Sequence, residues 1–326
     1  MKRLYFAVTR RCNLRCAHCF NDSGKTLRDE PDAARICSVI EKASAEGFSE
    51  IQITGGEALV REDIWDILDF AGAKGLTVLL QTNGVIDDRV MDKLRRSDPE
   101  RTGFIISVDG FETNDALRGA GVTDRALRSV RVLSGRFRVR INTLLTAQIS
   151  DSEIRRMIDF AGQTGAALAF NPIIPIGRSG ISDMGDPREL FKRMVWIEKA
   201  GVNIRKGFTY DAQAKSFCEN ENCPVRTRDG VFVSADGDCY PCGFFDGLEE
   251  MRLGNIMEDG DGFASVMRNY PAGYDEINRE CAVCFYYKTG KCFAGCPARI
   301  HALHDRFGGR EYYCMKQYGE EWMRDV

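Results

Sequence analysis

Six short apolar segments, each followed by a stretch with helical spacing, recur through the first 172 residues and restrict this chain to few folds. Leu4–Val8, Ile51–Thr54, Thr77–Gln81, Phe104–Val108, Val139–Leu145 and Ala167–Phe170 read as buried strands. Between them, Pro31 opens a helical pattern with Ile36, Ile40 and Ala43 on one face, and Ile64, Ile67, Leu68 and Ala71 repeat that spacing. Residues 87–96, 123–134 and 151–164 supply further helices. Gly, Asn and Asp at several joints suit tight βα turns. Strands that alternate with helices pair in parallel and curl into a barrel or an open sheet. Six units fall short of the eight that close a full barrel. The expectation is an α/β fold, a partial (βα)6 TIM-like barrel, with ligands at the C-terminal ends of its strands.

After Pro172 the pattern changes. Ile173–Gly180 reads as a loop, residues 187–199 as a helix, and from about residue 214 Gly, Cys and turn residues dominate. Gly230–Ser234 and Asp238–Tyr240 suggest a small hairpin. A tail of this kind buries little core and needs staples, which cysteine-bound metal supplies. The expected division is a partial barrel over 1–185, a bridge over 186–213 and a small cysteine-rich domain over 214–326.

Lys+Arg 45 against Asp+Glu 48 leaves a net charge of −3 with no long basic run, which excludes a nucleic-acid footprint. The apolar stretch in Met1–Val8 is too short for a signal peptide, and no uncharged apolar run approaches the length of a bilayer span. The expectation is a cytoplasmic protein with no membrane partner.

The 13 cysteines are unevenly placed: three fall in Cys12–Cys19, Cys37 stands alone, and nine lie between Cys218 and Cys314. An odd count without a secretory signal argues against disulfides. The clustering points to metal or cluster ligation. Cys12-x3-Cys16-x2-Cys19 follows the first strand, and three thiolates on one loop can hold three irons of a [4Fe–4S] cluster, leaving the fourth open. A structural zinc site would require a fourth ligand, and none lies nearby in sequence.

Arg11-Cys12-Asn13-Leu14-Arg15-Cys16-Ala17-His18-Cys19-Phe20 resembles the signature of the radical S-adenosylmethionine (SAM) superfamily. The resemblance implies that SAM chelates the open iron and is cleaved reductively to a 5′-deoxyadenosyl radical, which takes hydrogen from a substrate. It implies an electron donor such as flavodoxin or ferredoxin. His18 stands where the family usually has an aromatic residue near the adenine. Thr54-Gly55-Gly56-Glu57 ends the second strand and resembles the family's glycine-rich motif, whose backbone and acid hold the SAM ammonium; Ala58 replaces a frequent Pro. Gln81-Thr82-Asn83-Gly84 and Ser107-Val108-Asp109-Gly110 resemble segments lining the SAM pocket, with Ser107 as the ribose contact. Ordinary turn chemistry also explains Asn83 and Asp109. Arg118 and Asn142 read as solvated or structural polar groups.

Cys223-x13-Gly237-x4-Cys242, then Cys281-x2-Cys284-x7-Cys292-x3-Cys296 and Cys314, resembles the SPASM extension, which holds two auxiliary [4Fe–4S] clusters; Leu253-Gly254-Asn255-Ile256 resembles the segment between its two cysteine groups. The family's interleaved ligation implies one cluster on Cys218, Cys223, Cys242 and Cys296 and another on Cys281, Cys284, Cys292 and Cys314. Zinc ligation of the paired cysteines is the competing reading. Cys239 is an alternative to Cys218 as a ligand, or a free thiol; Cys37 is expected to be a buried thiol, and His301 and His304 solvated.

In the sulfatase-maturating branch an Asp base directly follows the cysteine equated with Cys242. Here Gly243 stands there, with Asp246 the nearest acid, so formylglycine formation is not expected. The function implied is modification of a peptide or protein side chain, with a small molecule such as a tetrapyrrole or aminosugar as the alternative substrate. A non-catalytic electron carrier or zinc module has no use for the Gly-Gly-Glu motif. With the first strand starting by Leu4, no leader-gripping domain is expected ahead of it, and a peptide would be held by the barrel mouth and Gly207–Asp211 or brought by a partner protein.

Overall fold

The structure, a computed structural model, describes residues 2–24, 30–204, 209–211, 216–218, 225, 228–258, 262–270, 278–289, 294–314 and 316. The six expected strands are β1 (Lys2–Ala7), β2 (Phe48–Thr54), β3 (Thr77–Thr82), β4 (Thr102–Ser107), β5 (Arg138–Leu145) and β6 (Ala167–Pro172). They lie side by side in sequence order and pair in parallel. Phe6, Ile53, Leu80, Phe104 and Val139 stand in register as one buried row across five strands. With side chains alternating along each strand, that row faces the helices.

The helices are α1 (Ala33–Ala45), α2 (Ile64–Ala73), α3 (Asp88–Leu94), α4 (Glu112–Arg118), α5 (Val122–Ser134), α6 (Asp151–Thr164) and α7 (Pro187–Lys199). α1 starts two residues after Pro31, because the Asp32 side chain accepts from Arg35 N and caps it. Its Ile36, Ile40 and Ala43 join one core with the row of strand residues. Cys37 is half-buried and packs against that core. α4 was not expected from periodicity; with seven residues it is too short to show any.

A buried carboxylate holds α4. Glu153 of α6 accepts from Phe111 N, Thr113 N and Thr113 Oγ1 at 3.0, 2.8 and 2.8 Å, and from Ser150 in a capping box. Burial alone would raise its pKa, but the N–H groups of Thr113, Ser150 and Phe111 and the Thr113 hydroxyl outweigh it and hold it at about 2. A folded pKa below the unfolded one gives stability that is present at neutral pH and lost as pH falls through the folded value. Glu153→Gln is therefore expected to lose roughly 1–3 kcal/mol at neutral pH, with variant and parent converging in acid. Melting curves across pH check this, and a constant gap between the two would overturn it.

β7 (Asn203–Ile204) adds a strand beside β6, and β8 (Thr209–Asp211) and β9 (Ser216–Cys218) form a separate antiparallel pair. The expected hairpin is present as β10 (Gly230–Val233) and β11 (Asp238–Tyr240), joined by β12 (Gly254–Asn255). It does not stand apart: β10 pairs in parallel with β1, so the sheet runs β12-β11-β10-β1 through β7 as ten strands, with β12 and β7 at its two ends. The sheet is open, a partial barrel. A last helix, α8 (Pro297–His304), buries Ala298 and Ile300. Among the described residues no helix is long and apolar enough to cross a membrane.

Candidate active site

The four motifs meet because β1 to β4 are adjacent and parallel, so the segments that leave their C-terminal ends lie next to one another. The loop after β1 carries Cys12, Cys16 and Cys19. Gly56 N donates to Thr9 O at 2.8 Å and Glu57 N to Arg11 O at 2.9 Å, laying the β2 turn directly against this loop. That contact explains both glycines. A Cβ on Gly55 would sit 2.4 Å from Thr9 O, and one on Gly56 would sit 2.2 Å from Arg11 O. The close approach is thus to the cluster loop's own backbone, a reason the sequence reading had not supplied.

Further bonds tie the loop down. Ala17 N donates to Leu117 O at 2.8 Å, and Arg178 N donates to Cys19 O at 3.0 Å. The Arg178 guanidinium donates to Cys16 O, Asp22 and Ser23 O at 2.7, 2.6 and 2.9 Å. Leu14 N and Ser23 N each point at a sulfur, Cys12 Sγ and Cys19 Sγ, at 3.4 Å.

The electrostatics fit a cluster. Burial, reinforced by Glu57 and the neighbouring sulfurs, pushes the Cys12 thiol up to about 11. Burial also raises Cys16, against the pull of Arg118, whose Nη1 lies 4.0 Å from its sulfur. Thiols raised in this way ionise when a cationic metal takes up their charge. Among the described residues no three His, Cys, Asp or Glu side chains gather closely enough for one metal ion. Ligands of a cubane cluster each bind a different iron and stand farther apart than ligands of a single zinc.

Behind the loop sits a buried triad that sequence reading had divided. Asp109 is fully buried; Arg118 Nη2 and Nε reach its Oδ2 at 2.7 and 2.8 Å, and His18 Nε2 stands 3.1 Å from the same oxygen. Leu144 N donates to Oδ1 at 2.8 Å. Burial would raise Asp109, but the Arg118 charge and the His18 bond reverse that and hold it well below the usual carboxylate range. Arg118, expected to be solvated or structural, is 10% exposed and lies between Asp109 and the cluster loop. The sequence carried no local signal for this, because α4, which brings Arg118 back over Asp109, is too short to show periodicity. His18 Nδ1 is buried with no hydrogen-bond partner among the described residues.

Glu57 is buried and binds the turns together: Oε1 accepts from Leu59 N, and Oε2 from Asn83 N at 2.7 Å and Thr82 Oγ1 at 3.0 Å. Burial raises it to about 6, against those donors and Arg118. Asn83 Nδ2 donates to Asn13 Oδ1 of the cluster loop at 2.7 Å, while Gln81 Oε1 accepts from Gln52 at 2.6 Å. Ser107 ends β4 in register with Asn142 on β5, whose Oδ1 is buried without a partner among the described residues. His18, Gly55, Gly56, Glu57, Gln81, Asn83, Ser107 and Asp109 therefore share one end of the sheet.

Of the C-terminal cysteines, Cys281 lies close enough to Cys284 and Cys314 to feel both, and burial with these neighbours pushes it up to about 11. Cys242 and Cys296 pack against a second, smaller core around Phe232 and Phe245. Cys239 is buried in the main core with its sulfur 3.7 Å from Gly237 O. Cys223 and Cys292, like Gly207, lie outside the described residues, and Cys218 is described as part of β9. His301 differs from expectation: it is 12% exposed, 2.7 Å from Glu250, and packed on Phe245 and Phe307. His304 Nε2 lies 2.6 Å from Arg310 O.

Residues 6–161 match the family model of the Radical SAM superfamily. The mycofactocin maturase MftC of Mycolicibacterium smegmatis is 29% identical over 97% of this chain and 83% of its own length. An AdoMet-dependent heme synthase of Methanosarcina barkeri is 26% identical over 96% of both chains. Among solved structures, Streptococcus suis SuiB bound to S-adenosylmethionine superposes with a TM-score of 0.75 at 19% identity, covering 96% of this chain and 77% of its own. Native anSMEcpe with bound AdoMet gives 0.72 at 19% identity, covering 99% and 96%. Residues 6–161 thus form a radical SAM domain, and the likeness to enzymes runs beyond it over the rest of the chain. A domain of this superfamily implies one [4Fe–4S] cluster and SAM.

Proposed function

We propose that this enzyme is a peptide maturase, which takes hydrogen from a residue of a peptide or protein substrate. One observation carries the reading: the match to mycofactocin maturase runs through 97% of the chain, so it spans the cysteine-rich C-terminal region as well as the SAM half. Cys12, Cys16 and Cys19 would hold the SAM-binding cluster, whose reductive cleavage of SAM supplies the 5′-deoxyadenosyl radical. Gly55, Gly56 and Glu57 shape the turn at the methionine end of SAM. His18 offers its free Nδ1 to the adenine, and Asp109 keeps His18 and Arg118 in place. Gln81, Asn83 and Ser107 line the same pocket. An electron carrier such as ferredoxin or flavodoxin would feed the cluster.

The auxiliary assignment divides the remaining ligands over residues 214–326. The nearness of Cys284 and Cys314 to Cys281 supports one four-cysteine set completed by Cys292. The common core of Cys242 and Cys296 supports the other, completed by Cys218 and Cys223. Burial of Cys239 in the main core favours Cys218 over it as the ligand. Anaerobically purified protein is expected to carry about 12 Fe per chain, three cubane clusters. Roughly 4 Fe accompanied by zinc would overturn the auxiliary assignment and leave the N-terminal one.

For the substrate, deuterium from a labelled peptide is expected in 5′-deoxyadenosine after turnover. The full-length match to a heme synthase keeps a second reading, a tetrapyrrole substrate. Deuterium transfer from a tetrapyrrole, with none from candidate peptides and their partner proteins, would replace the first reading by the second.

A further inference from the structure

Between the cluster loop, the turn after β6 and the segment that follows Cys242 lies a cavity of about 400 Å³. Arg10, Phe20, Ile176, Phe244, Asp246 and His301 are among its walls. Phe20 and Phe244 meet edge to face at 5.3 Å, and Phe244 is 40% exposed, so one wall is aromatic and open to solvent.

The Asp246 side chain is only 4% exposed. Its Oδ1 accepts from Arg10 Nη2 at 2.8 Å, and its Oδ2 is buried with no hydrogen-bond partner among the described residues. Leaving a buried carboxylate oxygen unmatched is destabilising, a cost that a fold retains where a ligand completes the bond. A second lining carboxylate, Asp22, is held by Arg178, and burial raises Asp246 against the pull of Arg10, with Asp236 and Asp238 adding smaller negative potential. His301 in the far wall is turned to Glu250. The unmet group is thus a carboxylate acceptor near aromatic rings, where a charge-assisted donor binds more strongly than a neutral one and a ring adds cation–π attraction.

We propose that this cavity is a subsite for a primary ammonium on an aliphatic stem, a lysine side chain or free amino terminus of the substrate, bound by Asp246 Oδ2 beside the Phe20–Phe244 pair. The identity of the bound group rests on the peptide reading, but its recognition does not depend on turnover. Arg10 orients Asp246 by holding the other oxygen, and because Arg10 is two residues from Cys12, the subsite borders the cluster loop.

The test measures melting temperature of the anaerobic, cluster-loaded enzyme with n-butylammonium chloride, butan-1-ol or sodium butyrate. The ammonium salt is expected to raise the melting temperature in a saturable way, above any effect of equal sodium chloride, while butan-1-ol and butyrate do not. Asp246→Asn should weaken the apparent affinity at least about tenfold, the scale expected for losing a charged partner. Ala302→Phe, which fills the cavity with the Arg10–Asp246 pair intact, should abolish the shift and serves if the first variant fails to fold. Equal shifts in parent and Ala302→Phe, or a butan-1-ol shift as large as that of the ammonium, would overturn the subsite. Either result leaves the deuterium experiment to judge the peptide reading separately.

Discussion

Replacing Cys12, Cys16 and Cys19 together by Ala is expected to abolish reductive cleavage of SAM, with 5′-deoxyadenosine falling below detection. The loop around them is fastened by backbone bonds from Gly56, Glu57, Ala17 and Arg178, none of which uses a sulfur, so the variant keeps its fold. What disappears is the donor set for the cluster, and with it the iron that would bind the cofactor. Cys281→Ala or Cys314→Ala should differ in kind. Cys281 lies near Cys314 despite their separation along the chain, next to a segment held by the buried Arg299–Glu311 pair. Their loss should impair product formation and folding while some SAM cleavage survives. Anaerobic assays of 5′-deoxyadenosine and product in parallel separate the outcomes. Continued 5′-deoxyadenosine formation by the N-terminal triple variant would refute the catalytic assignment.

The second large effect is expected at Asp109→Ala. Removing this carboxylate leaves Arg118 buried beside Cys16 with no opposite charge, detaches His18, and frees Leu144 N. Breaking a buried pair from one side typically destabilises by roughly 3–5 kcal/mol, because the remaining charge is left desolvated. Denaturant unfolding of the cluster-loaded protein checks the figure. The double variant Asp109→Ala, Arg118→Leu should recover a substantial part of the loss by removing the orphaned charge. If the single variant lost less than about 1 kcal/mol, the triad would be an exposed ion pair in solution and not the buried anchor described here. Because Asp109 is held below the ordinary carboxylate range, its contribution is present at neutral pH and fades only in strong acid.

The strands and most helices of the barrel were legible because each carries its own periodicity. Asp151–Thr164 shows 3-4 spacing and a Ser150 cap within its own residues, and Arg138–Leu145 alternates buried and half-buried positions. α4 was missed since seven residues are fixed by a contact outside themselves, the bonds to Glu153. The residues of the site were legible as types at fixed spacing, whereas their partners were not. Nothing near Asp109 in the sequence announces His18, which is 91 positions away and 3.1 Å distant.

By itself the sequence determined the order of the βα units, the three-thiol loop after the first strand and the glycines of the turn after the second, because local propensity and ligand spacing are properties of short segments. Only the tertiary structure decided that those glycines serve the cluster loop's backbone, that Arg118 is buried, that the C-terminal hairpin extends the barrel sheet beside β1, and that Asp246 lines a cavity with one oxygen unmatched. Each depends on segments far apart in the chain meeting at close range, and burial, which sets the energy of a charge or an unpaired oxygen, exists only once they have met.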